Sequence, residues 1–195
     1  MDVSTGDGLS FANAAHTLVN DTTTYRNRLS GDPQISQGSL EIAENLFMQQ
    51  MYNNNGQSID IVPDTIVVCS DATTLNVALQ ITKSKSPVDA TNSNVWNAYE
   101  GKYRVVQAPS IDRTFVVGGD KFTFDSTKQK QWMLCDSTNP GLCLFVTEYP
   151  TFETPTESNG GIDWLTKQKT WIGRTTYEPV ALNPRFAVVS VVTTS

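Results

Sequence analysis

The chain has a single histidine, His16, and only three cysteines, Cys69, Cys135 and Cys143. That scarcity bounds its chemistry. Any Ser-His-Asp or Cys-His mechanism would have to run through His16, which lies in Ala14-Ala15-His16-Thr17-Leu18 with no G-x-S-x-G elbow anywhere in the chain. A hydrogen-bonded structural histidine is the expectation. The four residues could in principle form one Cys3His zinc site, but no C-x2-C pair seeds it, and buried reduced thiols are the plainer reading. An odd cysteine count fits a reducing compartment or an intracellular assembly site. Any two of the 20 acids could meet as a glycosidase pair, yet nothing selects a pair. No catalytic residue, metal or cofactor is assigned, and no enzymatic activity is expected.

Charge is also sparse. Asp, Glu, Lys and Arg make 17% of the residues, well under the usual quarter, and Ser, Thr, Asn and Gln take their place. The net charge is -6 with Lys and Arg scattered, the nearest thing to a cluster being Lys128, Lys130, Lys167 and Lys169. A protein that grips nucleic acid through its own surface carries a basic stripe, so direct readout is not expected. No run approaches the 18 apolar residues of a membrane span. The start, Met1-Asp2-Val3-Ser4-Thr5-Gly6, has neither the basic nor the apolar region of a secretory signal. Gly118-Gly119-Asp120-Lys121 lacks Walker spacing and reads as a strand-joining turn.

What is present is enough for a core: 195 residues, 38% apolar and 9% aromatic. Residues 1–35 are polar and rich in Gly and Thr, with an apolar patch at Leu9, Phe11 and Leu18, and read as irregular structure or an extended arm. Over 36–53 the residues Leu40, Ala43, Phe47 and Met51 fall on one face, with Ile42 and Leu46 beside them. This predicts an amphipathic helix capped by Ser36 or Ser39, with Glu41 and Glu44 suiting its positive end, and stopped by Asn53-Asn54-Asn55-Gly56. Ile59-Asp60-Ile61 and Ile66-Val67-Val68 predict a β-rich stretch broken by Pro63. A second helix over 71–83 is capped by Asp71, with Leu75, Ala78, Leu79 and Thr82 inward.

Polar loops follow at 84–97 and 154–163. Between and after them, short apolar runs predict strands at 103–106, 114–117, 122–124, 131–134 and 142–146, then two long ones at 168–177 and 185–192. Helices first and strands after, without β-α alternation, predicts an α+β fold: a mixed sheet with two main helices and a β-rich half at 101–192. The expected organisation is an irregular segment at 1–35 and a single α+β domain over 36–195.

Taken in order, these pieces resemble the major capsid proteins of tailed bacteriophages, in particular the Mu-like major head subunit group of the HK97-like fold. The resemblance is carried by Phe11, Ala15-His16 and Leu18, and by the helix with Leu40, Ala43 and Met48 that closes at Gly56. It continues through Ile59, Ile61, Pro63, Ile66, Val67 and Val68 leading into a helix with Leu75 and Ala78. Gly101, Val105, Val106 and Pro109 follow, then Trp132, then the closing strands with Arg174 and Arg185-Phe186. It spans roughly residues 9–192; each motif alone is weak, and their order and spacing carry the match. The family's N-terminal arm and extended hairpin loop are expected to be missing, since about 35 residues precede the helix, and Asn183-Pro184-Arg185 stands where the family often has Asp before Arg.

The resemblance implies a structural subunit of a viral capsid shell that self-assembles as pentamers and hexamers around packaged double-stranded DNA. It implies virion localisation after assembly in the host cytoplasm, with scaffold, portal or decoration proteins as further partners, DNA enclosed without sequence-specific binding, and no membrane. The two polar loops would be candidates for axial or lateral contacts. The alternative is a β-rich module binding carbohydrate or peptide through exposed Trp96, Trp164 or Trp171, with Trp96 the first to test.

Overall fold

A computed structural model of the chain describes residues 5, 7–86, 96–109, 112–116, 121–139, 141–153, 162–163, 168–169, 172–181 and 183–193. In chain order these form β1 (His16–Thr17), β2 (Thr24–Tyr25), α1 (Gln37–Gln49), β3 (Thr65–Val68), α2 (Ala72–Lys83), β4 (Arg104–Gln107), β5 (Arg113–Val116), β6 (Lys121–Phe124) and β7 (Trp132–Cys135). There follow β8 (Leu142–Glu153), β9 (Ile162–Asp163), β10 (Gln168–Lys169), β11 (Ile172–Ala181), a 3-10 turn (Pro184–Phe186) and β12 (Ala187–Ser190). The fold is mixed α+β. Contacts divide the chain into two compact units, one of Met1–Gly141 with Ala181–Ser195, the other of Leu142–Val180.

The first unit is built on a four-stranded sheet in the order β12-β7-β3-β4. β3 and β4 are parallel and joined through α2, while β7 runs antiparallel to both β3 and β12. That βαβ unit departs from the expected absence of β-α alternation. A parallel neighbour requires a crossover, and the periodic segment after Asp71 supplies it. Ile66, Leu134 and Val188 lie in one cross-strand row and are fully buried with Leu40, Phe47, Ala78 and Ile81. On the opposite side Ala187 and Val189 pack with Phe11 and Ala12. The sheet is therefore covered on both faces, by helices and by the N-terminal segment.

That segment is irregular as expected, but it is not a free arm. Phe11, His16, Leu18, Tyr25, Asn27 and Leu29 are all buried. Leu29 N–H donates to Val189 O at 2.9 Å and Val189 N–H to Asn27 O at 2.7 Å, so residues 27–29 close the β12 edge of the sheet.

Ser36 and Ser39 together start α1. Ser36 Oγ accepts from Ser39 N–H at 3.1 Å, and Ser39 Oγ accepts from Ser36 N–H at 2.8 Å, a reciprocal cap. The helix ends at Gln49, earlier than the expected 36–53. Asn53 Oδ1 accepts from Asn55 N–H at 2.9 Å and Gln57 N–H at 3.0 Å, and Ile59 N–H returns to Met51 O at 3.0 Å. The asparagine side chain gives the backbone an alternative to helix, and the chain folds back on itself. Gly56 sits in this turn at φ +76, in the left-handed region that favours glycine.

Two details of α1 correct the expectation. Ile42 is half exposed, and Ser39 takes an inward place instead. The first turn carries no acid: Glu44 lies two turns in, where Lys102 Nζ reaches it at 2.8 Å and Tyr103 Oη donates to it. α2 matches the expected 71–83, with Asp71 Oδ2 accepting from Thr74 N–H at 2.8 Å. Its buried face is Thr74, Ala78, Ile81 and Thr82, while Leu79 is only half covered.

Among the predicted strands, residues 59–61 form none; only an isolated bridge joins Tyr52 to Ser58. The predicted 185–192 strand begins as a 3-10 turn, because Asn183 Oδ1 caps Arg185 N–H and Pro184 presets the turn. Only Ala187–Ser190 extends, and it is buried throughout. Residues 117–120 lie outside the described residues, and β5 and β6 on either side pair antiparallel.

In the second unit β8 pairs with β11, and β9 with β10. β8 runs 12 residues, well past the predicted 142–146, and carries Pro150; β11 runs 10 and carries Pro179. In a two-stranded ribbon each strand is an edge, where a missing N–H is tolerated. Of the predicted strand at 168–177, residues 168–169 form β10 and 172–177 belong to β11, with 170–171 outside the described residues.

Candidate functional site

His16 is fully buried. Its Nδ1 lies 2.8 Å from Asp7 Oδ2, and its Nε2 lies 3.3 Å from Phe11 O and 3.2 Å from Asn27 Oδ1. The ring stacks on Tyr25 with centroids 5.0 Å apart. Asn27 is fixed by backbone partners: its Oδ1 accepts from Asn13 N–H at 2.9 Å, and its Nδ2 donates to Phe11 O at 2.7 Å and Pro184 O at 3.1 Å. Both imidazole nitrogens thus face acceptors inside the protein. The arrangement ties the N-terminal segment to the closing turn, and neither nitrogen is turned to a nucleophile or a substrate. Asn27 was not singled out from the sequence, since a lone polar residue at mid-segment carries no periodic signal.

Asp7 is held below the usual carboxylate range, at about 2. Burial alone would raise it, but hydrogen bonds from Thr5, His16 and the Leu9 N–H outweigh that. A carboxyl whose folded pKa lies below its unfolded value of 3.8 contributes stability above pH 4 that is lost as pH falls towards 2. Because Asp7 keeps an exposed edge, the contribution is about 1–2 kcal/mol after screening. Asp7→Asn is therefore expected to be less stable than the parent above pH 4, with the two stabilities converging as pH falls to about 2. Urea midpoints measured from pH 6 to pH 2 check this, and a gap that stays constant over that range would refute it.

The thiols are not activated. Burial, then the charge of Asp112, pushes Cys69 up to about 12. Burial, with Asp64 and Asp136 nearby, pushes Cys135 up to about 11. Both are free and protonated at neutral pH. The side chain of Cys143 lies outside the described residues. Among the described residues no group of His, Cys, Asp and Glu is disposed to hold a metal ion, and no helix is long and apolar enough to cross a membrane.

Trp96 is 69% exposed, its Nε1–H donating to Glu100 Oε2 at 3.2 Å. Trp132 is core, and Trp164 and Trp171 lie outside the described residues. Of the loop at 84–97, residues 87–95 lie outside the description, as do 154–161 of the second loop. The far end of the first is anchored: buried Asn97 donates through Nδ2 to Ile81 O at 2.6 Å and Ser84 O at 2.8 Å, closing the C-terminus of α2.

The first unit carries a cleft of about 250 Å³ lined by Thr5, Asp7, Tyr25, Asn54, Pro184 and Arg185 among others. The Arg185 guanidinium lies 4.8 Å from the Tyr25 ring centre and donates from Nη2 to Asn54 Oδ1 at 2.7 Å. Comparison with protein-family models, curated proteins and solved structures returns no match to this chain. The functional reading therefore rests on the residues themselves.

Proposed function

We propose that this chain is a structural subunit of a bacteriophage capsid shell, with an HK97-like fold, that assembles with copies of itself around double-stranded DNA. The observation that carries the reading is the β8–β11 ribbon. Its strands of 12 and 10 residues pair only with each other among the described elements. A two-stranded ribbon is marginal in water by itself and presents two open edges. Val146 and Tyr149 are exposed on it, Tyr149 by 75%. Such an element gains its stability by lying against another molecule, and repeated head-to-tail contacts of one kind close into rings.

The first unit supports the same reading, with β12 and β7 packed on one side by the helical core and on the other by the N-terminal segment. A net charge of -6 lets DNA be enclosed without being gripped. Scaffold, portal and decoration proteins would be the other partners, and the virion the location.

Replacing Val146 and Tyr149 together by Lys is expected to abolish rings and shells in negative stain, while thermal unfolding of the first unit changes by less than about 0.5 kcal/mol. Rings formed by the double variant would remove the ribbon from the contact.

Exposure of Trp96 favours a second reading, a module that stacks carbohydrate or peptide on this indole. Saturable quenching of its fluorescence by an oligosaccharide, lost in Trp96→Ala, would be its signature.

A further inference from the structure

Arg185 makes no ion pair among the described residues. Its hydrogen-bond partners are neutral: Asn54 Oδ1 at 2.7 Å from Nη2 and Asn183 Oδ1 at 3.3 Å from Nη1. Its Nε is buried and has no acceptor. Among the described residues no carboxylate lies within ion-pair distance of it. Asp7 lines the same cleft, but its oxygens are already engaged by Thr5 Oγ1, Leu9 N–H, His16 Nδ1 and Thr17 N–H.

A guanidinium carries five donors in a planar fork matched to a carboxylate, and partly buried charges in folded proteins are ordinarily paired. Here the guanidinium lies 4.8 Å from the Tyr25 ring centre and is tethered by Asn54, so its position is fixed in part before any anion arrives. The cleft beside it, about 250 Å³ with Leu18, Val19 and Pro184 on its wall, has room for a carboxylate on a short apolar stem.

We infer that this cleft is a carboxylate-binding site, with Arg185 as its anchor, and that an acidic side chain of a second copy of the chain fills it on assembly. The site itself follows from the geometry; its occupant rests on the shell reading. The chain is rich in acids, 20 against 14 bases, so a neighbouring copy offers such groups readily.

The test uses sodium acetate and sodium glutarate against sodium chloride at matched ionic strength, on the full chain. The carboxylates are expected to raise Tm in proportion to the logarithm of their concentration, by roughly 3–5 °C for each tenfold rise above the dissociation constant, where chloride does not. Arg185→Gln should lose the effect. If that variant fails to fold, the Arg185 Nε–H resonance of the wild-type chain serves instead, and should shift saturably with acetate. No rise in Tm and no saturable shift of the resonance, or responses equal to those with chloride, would overturn the site.

Two arms separate the sources. A shift of the same resonance on raising protein concentration, reversed by acetate, supports the second copy. Saturation by acetate without any concentration dependence keeps the carboxylate site and overturns the second copy as its source. Rings formed normally by folded Arg185→Gln do the same, and leave the shell reading standing.

Discussion

Trp132→Ala is expected to cost about 3–5 kcal/mol, the largest effect of any single truncation in the first unit. Trp132 is 1% exposed and sits on β7, between Val68 of β3 and Ser190 of β12 in the register. Its indole Nε1–H donates to Pro33 O at 3.0 Å, the carbonyl that also accepts from Ser190 Oγ at 2.7 Å. Truncation opens a cavity in the middle of a four-stranded sheet, where neighbouring strands are locked by their ladders and collapse little. Against a typical stability of about 5–15 kcal/mol, this brings the unit near its unfolding threshold. Trp132→Phe retains most of the ring and loses the hydrogen bond, and is expected to cost about 1–2 kcal/mol. Urea unfolding followed by circular dichroism measures both. An Ala variant within 1 kcal/mol of the parent would mean that the start of β7 is not packed as described.

Asn27→Leu is nearly isosteric and is expected to cost at least about 3 kcal/mol, because it leaves the Asn13 N–H and the carbonyls of Phe11 and Pro184 without that amide. Volume is kept, so the loss reports polar satisfaction alone. The effect has a location as well as a size. Amide exchange is expected to quicken over residues 11–16 and in β12, which Asn27 and Leu29 edge, while α2 on the other face of the sheet keeps its protection. Uniform loss of protection would show instead that the N-terminal segment and the sheet unfold as one unit, and loss below 1 kcal/mol would contradict the buried network.

Local features of the fold were legible and long-range ones were not. α2 could be placed to within a residue because Asp71 caps it and its apolar positions repeat at helical spacing. The end of α1 was misread because Asn53 makes side-chain bonds to the turn that follows, and the composition of that turn reads equally well as a helix stop. β8 outruns the predicted 142–146 because Thr147, Glu148 and Pro150 continue it without an apolar pattern, and only the ribbon context shows that Pro150 occupies an edge. The parallel pairing of β3 with β4 spans more than 30 residues and leaves no local mark.

The site was legible mainly by elimination. One histidine between small residues suggested a structural role, and its buried hydrogen bonds agree with that role. Asn27 and Arg185 stand 158 residues apart in sequence, and they join one neighbourhood only because Pro184 O accepts from the Asn27 amide and the next guanidinium lies over Tyr25. No spacing rule could have paired them.

The central claim is that this chain is built to assemble with itself. The measurement that tests it most directly is the mass of the purified chain by light scattering across protein concentration, with negative-stain images of the same samples. The account predicts rings of five or six subunits, or closed shells. A monomer that stays monomeric to the highest soluble concentration would contradict it.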